Sequence, residues 1–238
     1  MEKIKAETDE KFKNALDTIP ALEETILNPQ YDDSKIKGFG IFKIGSSIEN
    51  TINELLHSKE YKFDSASTHE KKSKLEVGAI AFSKDNSVYS KKYIVKINHP
   101  KSTFDRINTI EEASWCRDVE IYWITLYTVD KVNIKDLYLT YYKNKLVRIV
   151  CDRFSDGLED AVVSKYGKAD DSYATPGYYH SFWINKDLRA GYSKSDFNHD
   201  FEIIIKGGQR FLSNCNSQDF DEQSKIDQAN KKEELGKF

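Results

Sequence analysis

The stretch Leu137-Tyr138-Leu139-Thr140-Tyr141-Tyr142, Lys143-Asn144-Lys145, Leu146-Val147-Arg148-Ile149-Val150-Cys151 decides the fold class. Two runs of β-branched, aromatic and leucine residues flank a short polar link, the pattern of a β-hairpin. Directly after it, Ser155–Tyr166 reads as a short helix. Leu158, Ala161, Val162 and Tyr166 fall on one face, and Asp156 and Glu159 are spaced as N-cap and N3. Gly167 stands where a left-handed C-cap ends a helix. Tyr179–Asn185, Leu188–Tyr192 and Phe201–Lys206 follow as further strands. Hairpin, helix and meander together predict an α+β chain: antiparallel sheet, with short capped helices packed on one face.

Upstream the same grammar recurs. Gly38–Gly45 is a short strand closed by a glycine, and Ser46 with Glu49 forms a capping box. Ile48, Ile52, Leu55 and Leu56 then share one face, which predicts a helix from Ser47 to about His57. Tyr61–Ser65 reads as a strand and residues 65–74 as a polar loop. Glu76–Phe82 and Tyr89–Ile97 are predicted to pair as a hairpin around Lys84-Asp85-Asn86-Ser87. Val119–Val129 is the longest strand candidate, with a turn near Asp130. Residues 3–28 carry apolar residues at helical spacing, interrupted at Pro20 and ended by Asn28-Pro29. Gln30–Lys37 reads as a linker, and Asp219–Lys237 as a helix with few apolar anchors.

These readings divide the chain into a helical N-terminal extension (1–37), an α+β domain (38–212) and a polar C-terminal tail (213–238). Within the domain, capped helix, loop and strands occur twice, at 46–97 and 155–206. That order predicts tandem α-β modules, with sub-modules at 38–117 and 118–212.

Composition narrows the function classes. The 238 residues carry a net charge of −3 and a pI near 6.0, without the strong basic footprint of a nucleic-acid binder. Fourteen Tyr, thirteen Phe and three Trp supply ample core material. Lysines gather at 59–101, ten against five acids; the excess suits an anionic partner, and is read first as guards on the solvent face and edges of strands. No run approaches the length of a membrane span. The N-terminal residues Met1-Glu2-Lys3-Ile4-Lys5 lack the apolar core of a signal peptide. The expected compartment is the cytoplasm if the chain is complete, or the exterior or envelope if a signal has been removed. Cys116, Cys151 and Cys215 lie far apart with no CxxC spacing, so one disulfide fits and a disulfide framework or zinc site does not. Cys151, inside a strand run, is read as a small core residue.

Phe42-Lys43-Ile44-Gly45-Ser46-Ser47-Ile48, a strand entering a capped helix, resembles the opening of the small α+β modules of beta-lactamase inhibitor proteins. It also looks like the outer-membrane assembly lipoproteins of similar shape. Leu146-Val147-Arg148-Ile149, with a helix ending Lys165-Tyr166-Gly167-Lys168, is similar to a pattern found in uncharacterised bacterial envelope proteins. The resemblance implies a module that packs one sheet face on helices and presents the other face to a partner. The N-terminal helices and the lack of paired cysteines in each module depart from it, so inhibition of a particular enzyme does not carry over.

The densest aromatic segment is Tyr173-Ala174-Thr175-Pro176-Gly177-Tyr178-Tyr179-His180-Ser181-Phe182-Trp183. Pro-Gly marks a turn, which brings aromatics near solvent, and Tyr and Trp dominate binding hot spots. Tyr173, Tyr178, Tyr179 and Trp183 are the predicted contact residues, set against the alternative that alternate aromatics face a core. Asp196-Phe197-Asn198-His199-Asp200 begins like a calcium loop, but Phe201 and Gly207 stand where glycine and glutamate are needed. Cys116 with His99 or His180 is the one conceivable nucleophile pair, and no residue near Cys116 activates it. His57, at a helix end, reads as a cap, and Gly207-Gly208 as a chain reversal with no phosphate-binding lysine. No metal, cofactor or catalytic residue is predicted. The expected function is non-catalytic binding of a protein or other macromolecule. Beside it stand an enzyme or small-ligand binder whose site assembles only in three dimensions, and a structural accessory of the cell envelope.

Overall fold

The computed structural model describes residues 21–62, 77–82, 92–97, 116–195 and 199–235. After a helical segment at 21–27, a two-residue hairpin joins β1 (Gly38–Phe39) to β2 (Phe42–Lys43). Then come α1 (Ile48–His57), β3 (Tyr61–Lys62), β4 (Val77–Phe82), β5 (Lys92–Ile97), β6 (Val119–Ile124), β7 (Leu126–Val129), β8 (Val132–Tyr142) and β9 (Lys145–Phe154). The chain continues as α2 (Leu158–Tyr166), β10 (Asp171–Thr175), β11 (Tyr178–Asn185), β12 (Leu188–Ser195), β13 (His199–Ile205) and α3 (Gly208–Leu235). The fold is α+β. Every described strand pair is antiparallel. No described helix is long and apolar enough to cross a membrane.

Eleven strands form one sheet in the order β10-β11-β12-β13-β9-β8-β6-β5-β4, with β7 also on β8 and β3 on β7. The hairpin read first from the sequence, β8 and β9, lies at its centre. Its turn, Lys143-Asn144, holds both residues at positive φ (46° and 63°), the geometry that matches the twist of the flanking strands. After α1 and the short β3, which pairs with β7, the chain enters β4 at one rim and works inward through β5 and β6. After α2 it enters β10 at the opposite rim and again works inward. The two halves belong to one continuous sheet.

Val119–Val129, expected as a single strand, is broken at the buried Thr125, whose hydroxyl donates to the Lys62 carbonyl (3.3 Å). The bend lets β6 take β5 as its second neighbour while β7 takes β3. Turn residues Asp130 and Lys131 follow at φ 45° and 72°.

The helix boundaries depart from the reading in instructive ways. Ser47, not Ser46, caps α1, accepting from the Asn50 amide (3.3 Å), while the Ser46 hydroxyl donates to the Lys43 carbonyl (2.6 Å). No side chain caps α2: Gly157, in the left-handed region at φ 91°, takes the N-cap position expected for Asp156. Gly167 does end α2 at positive φ, its amide donating to the Val163 carbonyl (2.9 Å). The C-terminal helix begins at Gly208 rather than Asp219 and runs 28 residues through the segment read as a tail. Residues 30–37 are a pinned strap rather than a free linker. Asn185 accepts from the Asp32 amide (2.7 Å) and donates to the Ile36 carbonyl (2.9 Å), and Ile36 is buried.

Helices cover both sheet faces. α1 (Leu55), α2 (Leu158, Val162) and the β1–β2 hairpin with the residue after it (Phe39, Phe42, Ile44) pack into the core on one side. There Tyr141 donates to Thr51 on α1 (2.6 Å), and Phe39 meets Phe201 (ring centroids 5.5 Å apart). On the opposite face Tyr142 packs edge-on against Phe211 of α3 (4.9 Å). A disulfide joins Cys116, just before β6, to Cys215 on α3. Cys151 is a buried free thiol, and burial pushes its titration well above the ordinary range.

Candidate functional site

The rim formed by β10, β11 and β12 carries an aromatic ladder, exposed at Tyr173 and Tyr178 and half-buried at His180 and Phe182. All five residues of β10 are exposed, and among the described strands β10 pairs only with β11. Side chains alternate across a strand, so Tyr178, His180 and Phe182 of β11 share the face away from α1 and α2. Tyr173 of β10 lies in register with His180. The rings touch in sequence. Tyr173 lies 4.9 Å from His180 and 5.7 Å from Phe182, while Tyr178 and Phe182 lie 6.2 and 6.3 Å from His180 and within 10° of parallel to it. Gly191 on β12, opposite Phe182, leaves space for the ring, and Arg189 sets its guanidinium 4.1 Å from the ring centroid.

A polar rung crosses the same face. His180, Ser193 and Asp200 are in register across β11, β12 and β13. His180 Nδ1 stands 2.9 Å from the Ser193 hydroxyl. Burial raises the Asp200 carboxyl above its ordinary range, Ser193 opposes this by hydrogen bonding, and Glu202 and Asp152 add to the rise. The order is His–Ser–Asp, with the hydroxyl in the middle. A nucleophilic serine needs the imidazole between it and the acid, so the rung holds the strands and rings in register and is not a catalytic triad.

The four contact residues predicted from the sequence are divided by strand parity. Tyr173 and Tyr178, 48% and 54% exposed, lie on the ladder. Tyr179, 39% exposed, points to the helix side, where its hydroxyl stands 2.9 Å from Ser181, itself 3.1 Å from Glu159 on α2. Trp183 is 2% exposed and belongs to the core: its indole donates to the Gly167 carbonyl at the end of α2 (2.9 Å) and its ring packs near Phe201. It is unavailable as a contact residue because it holds α2 on the sheet. His180, Phe182 and Arg189, not among the four predicted residues, complete the ladder. The i, i+2, i+4 spacing of Tyr178, His180 and Phe182 was the signal for the first two.

Other sequence candidates are placed or removed. Cys116 is bonded to Cys215 and offers no thiolate. Among the described residues, the one grouping with metal-ligand spacing is Cys116, Cys215 and Asp219, and its two sulfurs are spent in that bond. His57 Nδ1 stands 2.8 Å from the Asn53 carbonyl in the last turn of α1. His99 and residues 196–198 of the calcium-like stretch lie outside the described residues. No protein-family model matches the chain, and neither a curated protein nor a solved structure matches it.

Proposed function

We propose that the chain is a non-catalytic binding module that takes a protein partner on the β10–β11 rim. The observation that carries this reading is the stacked quartet on the terminal strands of the sheet, with Tyr173 and Tyr178 exposed and His180 and Phe182 half-buried beneath them. Rings held by one another lose little freedom on binding, so most of the apolar area they bury goes to affinity. The outer edge of β10 adds main-chain donors and acceptors, which an extended segment of a partner takes up by strand addition. The Cys116–Cys215 bond favours an oxidising compartment for this binding.

The test is site-specific photo-crosslinking from position 178 in the native host, with position 165 on the exposed side of α2 as control. A partner captured from 178 alone is then purified and titrated against wild type and the Tyr173→Ser/Tyr178→Ser double variant. The expected loss is at least tenfold, the weight of two hot-spot tyrosines. Equal affinity for both proteins, with the fold intact by circular dichroism, refutes the reading.

A further inference from the structure

We propose that a cleft on the opposite face, between the start of α2 and the ends of β9, β12 and β13, is a binding site for an alkylammonium group. Three rings form its walls: Phe154, Tyr192 and His199. Their centroids are 6.3 Å (Phe154–Tyr192), 6.2 Å (Phe154–His199) and 6.5 Å (Tyr192–His199) apart, with interplanar angles of 44°, 64° and 88°. Rings so inclined are the sides of a cup rather than a stack. The space between them and α2 is about 450 Å³, the size of a small-molecule site. An alkylammonium fits such a cup because its charge is spread over C–H groups that rest on ring faces, where the quadrupole is negative.

Charge supports the same ligand. Asp156, Glu159 and Asp160 line the cleft, and among the described lining residues the one lysine or arginine is the exposed Lys194. The positive end of a helix is worth about half a charge, which three carboxylates more than offset. Tyr192 senses the excess: burial raises its phenol to about 12, and Glu159, Asp156 and Asp160 push the same way. A hard metal ion would use the carboxylates and gain nothing from three rings. The ring walls therefore select an organic cation, supplied either as a free amine or as a lysine side chain of a peptide. The site shares no residue with the aromatic ladder, so it stands or falls apart from the proposed protein-binding rim.

The experiment is calorimetric titration of the intact chain with choline, with its neutral isostere 3,3-dimethylbutanol, with a trimethyl-lysine peptide and with calcium chloride. Choline or the peptide is expected to bind at least about tenfold more tightly than the neutral isostere, and which of the two is tighter identifies the source. Phe154→Leu keeps an apolar side chain, removes a wall, and should weaken binding about tenfold. Should that variant lose its circular dichroism spectrum, His199→Leu takes its place. Glu159→Gln/Asp160→Asn should weaken binding of the cations and leave the isostere unchanged. Failure of both cations to bind at millimolar concentration overturns the proposal. So does equal binding of the isostere, or displacement by calcium with an affinity that Phe154→Leu does not alter.

Discussion

Phe182 and Gly191 face each other across β11 and β12, and the side chain missing at 191 is the space into which the Phe182 ring settles. A Cβ at 191 would come within 3.2 Å of that ring, close enough to demand a small shift. Gly191→Ala should be nearly neutral, because the lost backbone entropy of a strand glycine offsets a slight displacement. Gly191→Val should cost about 1–3 kcal/mol and tilt the ladder. Denaturant unfolding measures the cost. The affinity for the crosslinked partner should fall for valine and hold for alanine.

Trp183→Phe should destabilise the chain without touching partner binding. The variant leaves the Gly167 carbonyl at the end of α2 without its donor and a gap beside Phe201, together about 2–3 kcal/mol. A fall in unfolding free energy with unchanged affinity would separate this core residue from Tyr173 and Tyr178.

The Cys116–Cys215 bond spans 99 residues of sequence. Closing a loop of that length restricts the unfolded chain, so Cys116→Ser/Cys215→Ser should lower stability by about 3–5 kcal/mol. Reductant should lower the Tm of wild type and leave that of the double variant unmoved. In the folded wild type, a thiol reagent should find no reactive cysteine, since Cys151 is buried.

Asp200 predicts a pH dependence. Its carboxyl is raised in the folded state, so the folded chain holds that proton more tightly than the unfolded chain. Its contribution is therefore best below its ordinary value of 3.8 and declines as pH climbs from there through the raised folded value. Asp200→Asn can still accept from Ser193 and carries no charge. The stability difference, variant minus wild type, should grow in favour of the variant across that window and then level off. Urea titrations from pH 3 to pH 7 measure it, and a flat difference would contradict the assignment.

What the sequence made legible depended on how local each signal was. The β8–β9 hairpin could be read because a polar link separates two runs rich in strand-forming residues. α1 was found but shifted by one residue, because two adjacent serines both suit a cap and only Ser47 reaches the Asn50 amide. The bend at Thr125 was invisible, since threonine is a good strand former and the break is set by which neighbours β6 and β7 take. α3 was started too late because its buried anchors, Phe211 and Leu212, precede a long polar run. At the site, aromatic residue type alone does not tell the two faces of β11 apart. Even-numbered Tyr178, His180 and Phe182 share one face and odd-numbered Tyr179, Ser181 and Trp183 the other, so counting by two would have moved Trp183 into the core.

The position of β13 has a consequence for synthesis. It is the last strand of the chain, yet it slots directly against β9, completed before α2 begins. While β10, β11 and β12 leave the ribosome, the flank of β9 stands open, and it closes only when Ile205 has emerged. A nascent chain halted before that point holds half a sheet with a raw central margin, so any fragment ending ahead of β13 should be a client for chaperones rather than a smaller folded protein.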